Sequence, residues 1–120
     1  MRTSLRGCLS EKYDSTIFSK LPQSIKHDLV VREIKPLTSF KVNVVLLIAV
    51  MEGLNITKLM SYFRAGEKSN ARLMVFELAA DGYLRQTIER GASGFQSSRK
   101  FYLTGKGREL VKRYYELMNG

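Results

Sequence analysis

Val44 to Met51 reads VVLLIAVM, the longest apolar run in a chain of 120 residues. Eight residues are far short of the roughly 20 needed to span a bilayer, so the run predicts a buried element on which other segments pack. A run of that size fits a buried strand or a buried helix. Its setting decides: Phe40 to Gly53, FKVNVVLLIAVMEG, is 14 residues long, which favours a helix. Thr38 or Ser39 is placed to cap it just after Pro36, and Gly53 is placed to end it. One such centre in a chain of this length predicts one compact domain rather than two.

Two further helices follow. Asn55 and Thr57 are candidate caps for ITKLMSYFR, in which Ile56, Leu59, Met60 and Phe63 share one face. AGEKSN, residues 65–70, reads as a turn. ARLMVFELAADG reads as the third helix, with Leu73, Val75, Phe76, Leu78 and Ala79 on its buried side and Gly82 as its stop. Tyr83 to Arg90 and Arg99 to Thr104 read as two strands around the Gly- and Ser-rich loop GASGFQSS. Thr104 then caps a last helix, Gly105 to Met118, with an apolar stripe of Leu110, Val111, Tyr114, Leu117 and Met118.

Residues 1–36 carry less pattern. Leu29, Val30, Val31 and Ile34 favour extended structure, so DLVVREI, Asp28 to Ile34, is expected as a strand, with one or two helical turns over Tyr13 to Leu21. The segment is expected to be an N-terminal arm or dimerisation element, and residues 37–120 the folded domain.

The charge is uneven. Twenty Lys and Arg oppose eleven Asp and Glu, for a net charge of +9 and a pI of about 9.9. Over residues 83–120 eight basic groups face three acidic ones, whereas residues 37–82 are nearly balanced. A basic excess gathered on one part of a small domain points to a polyanionic partner.

The order helix, helix, turn, helix, hairpin, helix is that of an α+β, mostly helical winged helix-turn-helix with a two-stranded wing hairpin. In that arrangement the second helix of the pair lies in the DNA major groove with its N-terminal residues at the base edges. Lys68, Ser69, Asn70 and Arg72 stand at that position. Arginine is suited to guanine and the polar pair to phosphate or base edges, although Ser69 and Asn70 would cap a helix in any case. In the hairpin Arg85, Arg90, Arg99 and Lys100 oppose only Glu89. Such groups position a protein on the phosphate backbone or in a narrow minor groove, the plainer alternative being a solvated charged hairpin.

Two segments in that order carry a family resemblance. MVFELAADGYL, with Leu78, Ala79, Ala80, Asp81, Gly82, Tyr83 and Leu84, and later SSRKFYLTGKGRELV, with Arg99, Lys100, Phe101, Tyr102, Leu103, Thr104, Gly107 and Arg108, resemble the bacterial winged-helix regulators of the MarR and PadR type. The resemblance covers about residues 38–118. It implies the winged fold, double-stranded DNA as partner, a homodimer and a bacterial, cytoplasmic setting. Where MarR-like wings carry Asp-Arg-Arg this chain reads Gln96-Ser97-Ser98-Arg99-Lys100. Fold and DNA binding are carried over; sensing of a phenolic effector is not, and a small-molecule effector is unsupported.

The last helix gives its own reason to expect a dimer. Leu110, Tyr114, Leu117 and Met118 either pack on the chain's own core or pair with a second copy. In a dimer the two recognition helices would read half-sites about 34–36 Å apart. Other chemistry has little support. Gly66-Glu67-Lys68-Ser69 lacks the spacing of a phosphate loop, and Gly105-Lys106-Gly107 lacks the third glycine of a dinucleotide fingerprint, Leu110 standing in its place. His27 and Cys8 are the chain's one histidine and one cysteine, which make neither a metal set nor an internal disulfide. No charged leader followed by an apolar segment opens the chain. The expectation is therefore a sequence-specific transcriptional regulator, with no catalytic residues, no cofactor and no membrane partner. The rivals are a winged helix used for protein–protein contact and a DNA-binding accessory factor of a mobile element.

Overall fold

The computed structural model describes residues 15–90 and 97–119. Cys8, Tyr13 and most of the Gly- and Ser-rich loop lie outside these residues. The fold is α+β and mostly helical: α1 (Ser15–Lys20), α2 (Gln23–Glu33), α3 (Ser39–Val50), α4 (Ile56–Met60), a 3-10 turn (Ala65–Glu67), α5 (Lys68–Ala80), the strands β1 (Leu84–Arg90) and β2 (Ser97–Leu103), and α6 (Gly105–Asn119).

The apolar run forms α3, the central element. Thr38 Oγ1 accepts from the Lys41 backbone N–H at its start. The helix packs against α2, α5, α6 and β2, which is why it is apolar nearly all round. Val42, Val44, Val45 and Ile48 are fully or almost fully buried, each worth about 1.5–3 kcal/mol relative to exposure. The helix stops at Val50, short of Gly53. That glycine instead takes φ +88° in the turn that follows, a conformation L side chains disfavour.

Beyond that turn Asn55 Oδ1 accepts from Lys58 N–H at 2.8 Å and caps α4. The helix ends at Met60, shorter than the sequence suggests. Leu59 and Met60 bury its inner side, while the outer residues Ser61 and Tyr62 are exposed. Part of the expected turn at residues 65–70 is helical: Ala65–Glu67 make the 3-10 turn, and Lys68 to Asn70 are already the first turn of α5.

At its other end α5 closes with a Schellman motif. Gly82 N–H bonds the Ala79 carbonyl and Tyr83 N–H the Leu78 carbonyl. Gly82 holds φ +89°, so the glycine is required by conformation. The turn aims the chain into β1, which pairs antiparallel with β2 from Leu84↔Leu103 to Arg90↔Ser97. The outer edge of β2 is also covered. Gly53 N–H bonds the Phe101 carbonyl, and a single bridge joins Asn55 to Lys100. Leu103 N–H is taken by Glu52 Oε2 at 2.8 Å.

In the N-terminal segment the expected helical turns appear as α1, and the expected strand is corrected. Asp28 to Ile34 is not a strand: residues 23–33 form α2, and Val30, Val31 and Ile34 are buried with α3 and α6. Packing outweighed the local preference of these β-branched residues. Phe18 of α1 and the buried residues of α2 belong to the same apolar cluster as α3. A polar clamp adds to that packing. His27 of α2 bonds Asn43 Oδ1 of α3 through Nε2 and the Tyr114 hydroxyl of α6 through Nδ1, both at 2.7 Å. With Asn43 Oδ1 accepting from Nε2–H, Nδ1 of the neutral imidazole accepts a hydrogen bond from the Tyr114 hydroxyl.

Leu110, Tyr114 and Leu117 of α6 are buried in this core and Met118 packs partly against it. The alternative left open by the sequence is thus decided toward the chain's own core, and the stripe is not an open dimer face. Among the described residues no helix is long and apolar enough to cross a membrane.

Candidate nucleic-acid interface

α5 buries Ala71, Val75 and Leu78. At 100° per residue this fixes what faces outward. Ser69 and Leu73 lie on the seam opposite the core, Lys68 and Arg72 on one flank, and Asn70 on the other. All five side chains are exposed. The four polar and basic residues expected here are therefore on one accessible half of α5. Leu73 is a correction: expected on the buried side, it is 53% exposed.

No side chain caps α5, and its N-cap position is taken by Glu67. The first backbone N–H groups of the helix therefore lack a side-chain cap, and the basic flank lies beside one carboxylate. Farther along, the two flanks of α5 are held by different neighbours. Glu77 pairs with Lys41 of α3 at 2.9 Å. Phe76, one turn after Arg72, packs edge to face on Phe101 of β2 with centroids 5.9 Å apart.

The hairpin does not present its four cations together. Side chains alternate along a strand, and directly paired residues share a face. The register puts Ile88 and Arg99, and beyond them Arg90, on the face that carries Leu84, Phe101 and Leu103 at its base. That face turns toward α5, where the Arg99 guanidinium lies 5.4 Å from the Phe76 ring centroid. Arg90 is exposed farther along it.

Arg85 and Lys100 fall on the opposite face. Arg85 stacks 4.9 Å over its cross-strand partner Tyr102. Lys100 Nζ contacts Glu89 Oε2 at 2.9 Å. The hydrogen bond from Glu89, helped by its charge, raises the Lys100 pKa above the ordinary lysine value. The expected cluster is thus split into Arg90 and Arg99 beside α5, and Arg85 and Lys100 behind it.

Two contributors escaped the sequence reading. Phe76, read only as a core residue, supports Arg99, a role visible only once the strand register is known. Ile88 is 61% exposed opposite its cross-strand partner Arg99. The resulting surface combines an accessible helix half, uncapped N–H groups and guanidinium groups from two elements. It can donate hydrogen bonds to anionic oxygens and flat polar edges. No protein-family model, no curated protein and no solved structure matches the chain.

Proposed function

We propose that the chain is a winged helix-turn-helix protein that binds double-stranded DNA as a sequence-specific transcriptional regulator. α4 and α5 serve as the helix-turn-helix and β1–β2 as the wing. The observation that carries this reading is the stack of Arg99 on Phe76, which places hairpin cations beside the exposed half of α5 that bears Lys68, Ser69, Asn70 and Arg72. A helix of this kind fits the major groove with its first turns at the base edges, while Arg90 and Arg99 reach backbone oxygens or the minor groove. Arg85 and Lys100 face away and stand outside the contact set. The net charge of +9 supports a polyanionic partner.

The test is fluorescence anisotropy with random-sequence duplex DNA at two salt concentrations, with and without genomic competitor. Affinity that falls steeply with salt is expected, because each phosphate contact releases counterions. No binding at low salt overturns the reading and turns the search to an acidic protein partner for the same face.

A further inference from the structure

Leu73 is the one large aliphatic side chain on the outward seam of α5, and it is 53% exposed. Isolated exposed leucines are ordinary on protein surfaces. This one is set differently. It sits one turn after Ser69 on the seam that points away from Ala71, Val75 and Leu78, between the Lys68 and Arg72 flank and Asn70. An apolar group with cations on one flank and hydrogen-bonding groups beside it suits a ligand that is apolar at its middle and anionic next to it. In the major groove the base edges offer one such apolar group, the C5-methyl of thymine, with phosphates on either side.

Resting on the DNA-binding reading above, we infer that Leu73 is a specificity-determining residue that packs against a thymine methyl group. It selects an A·T pair at one position of the site, next to the base pair met by Arg72. The methyl is chosen over an apolar protein surface because Lys68, Arg72 and Arg99 line the flank beside Leu73 and Glu77 on the other flank is already paired with Lys41, so the face asks for an anionic partner. DNA supplies that charge without any special composition.

Deoxyuridine differs from thymidine only in lacking this methyl, so the contact can be removed from the DNA side alone. Sites are first selected from a random duplex library with the full chain. Each thymine of the selected site is then replaced in turn by deoxyuridine, and binding of the wild type and of Leu73→Ala is measured. Wild-type affinity is expected to fall about fourfold at one thymine, the equilibrium equivalent of one buried methyl group. Leu73→Ala is expected to bind the thymine and uracil versions of that site equally. It should keep the wild-type discrimination at the position read by Arg72.

Three results would overturn the inference while leaving DNA binding in place: no sensitive thymine, the same sensitivity in Leu73→Ala, or salt-dependent binding with no selectable site. Absence of any salt-dependent binding removes the underlying DNA reading instead. Leu73 stands outside the buried core cluster, and an unchanged melting temperature of Leu73→Ala separates these outcomes from misfolding.

Discussion

Arg99 of β2 lies over the Phe76 ring of α5, its guanidinium carbon 5.4 Å from the ring centroid. Phe76 is itself wedged edge to face on Phe101, which is almost fully buried. The cation is therefore carried on a rigid aromatic pair whose position is set by the core. This couples the orientation of the hairpin to that of α5, so the two would engage one ligand in a fixed relation.

The split between the two faces of the hairpin separates its cations experimentally. Arg99→Ala and Arg90→Ala are each expected to weaken binding to every duplex. Each should also reduce the slope of log affinity against log salt by about one. Lys100→Ala should do much less, because its ammonium is already matched by Glu89 at 2.9 Å and faces away. Salt titrations of the three variants decide; equal slopes for Arg99→Ala and Lys100→Ala would sink the assignment of faces.

Arg72 is exposed on the first turns of α5, where the DNA-binding reading puts it at a base edge and leaves the hairpin cations to the backbone or minor groove. Arg72→Ala is expected to lose roughly 1–3 kcal/mol of discrimination at one base-pair position, with binding to non-specific duplex reduced much less. A comparison of selected sites for the variant and the wild type measures this. Uniform loss across all sequences would make Arg72 a phosphate contact instead.

Much of the helical frame was legible because its boundaries are chemical. Thr38, Asn55 and Thr104 each place a side-chain oxygen on the backbone N–H three residues later, and each was readable as a cap. Gly82 was readable as a stop because only glycine enters its φ without strain. The segment Asp28 to Ile34 was misread because Val30, Val31 and Ile34 are strand formers in isolation. Their spacing also makes one helical face, and the partner surface on α3 and α6 that rewards burial is not local. The site was legible on α5, where helical spacing fixes the polar side, although Leu73 was assigned inward. On the hairpin it was legible only as a sum of charges: a one-residue change of register exchanges the two faces, and a loop of Gly and Ser does not specify the register.

Gly107 and Gly105 occupy the same first turn of α6 and should respond oppositely to alanine. A Cβ at Gly107 would collide with the Tyr83 carbonyl oxygen and press on Leu103 Cδ2 at 3.3 Å. Backbone cannot retreat as a side-chain end can, so Gly107→Ala should cost about 1–3 kcal/mol. Gly105 has nothing within 4 Å and lies at the start of a helix, so Gly105→Ala should gain about 0.4–1 kcal/mol by restricting the unfolded chain. Thermal melts monitored by circular dichroism read both; a tolerant Gly107→Ala would mean that α6 does not approach Tyr83 this closely.

Tyr114 is expected to contribute to a loss of stability at alkaline pH. Burial raises its hydroxyl pKa above the ordinary 10.0, with a smaller contribution from Tyr115, so the folded chain holds the phenolic proton more tightly than the unfolded one. Stability is then level below 10.0 and falls as pH rises through the unfolded value toward the folded one. Lys100 acts in the same direction and at a similar place, since Glu89 raises it above 10.5. Tyr114→Phe should remove the first contribution and leave the second. At neutral pH the variant leaves His27 Nδ1 without its 2.7 Å partner, and an unmatched polar group of this kind costs about 1–3 kcal/mol. Urea unfolding from neutral pH to above 10.5 should therefore give a lower but flatter profile for Tyr114→Phe than for the wild type. An alkaline decline as steep as that of the wild type would show that the Tyr114 proton does not help to hold α6 to α2 and α3.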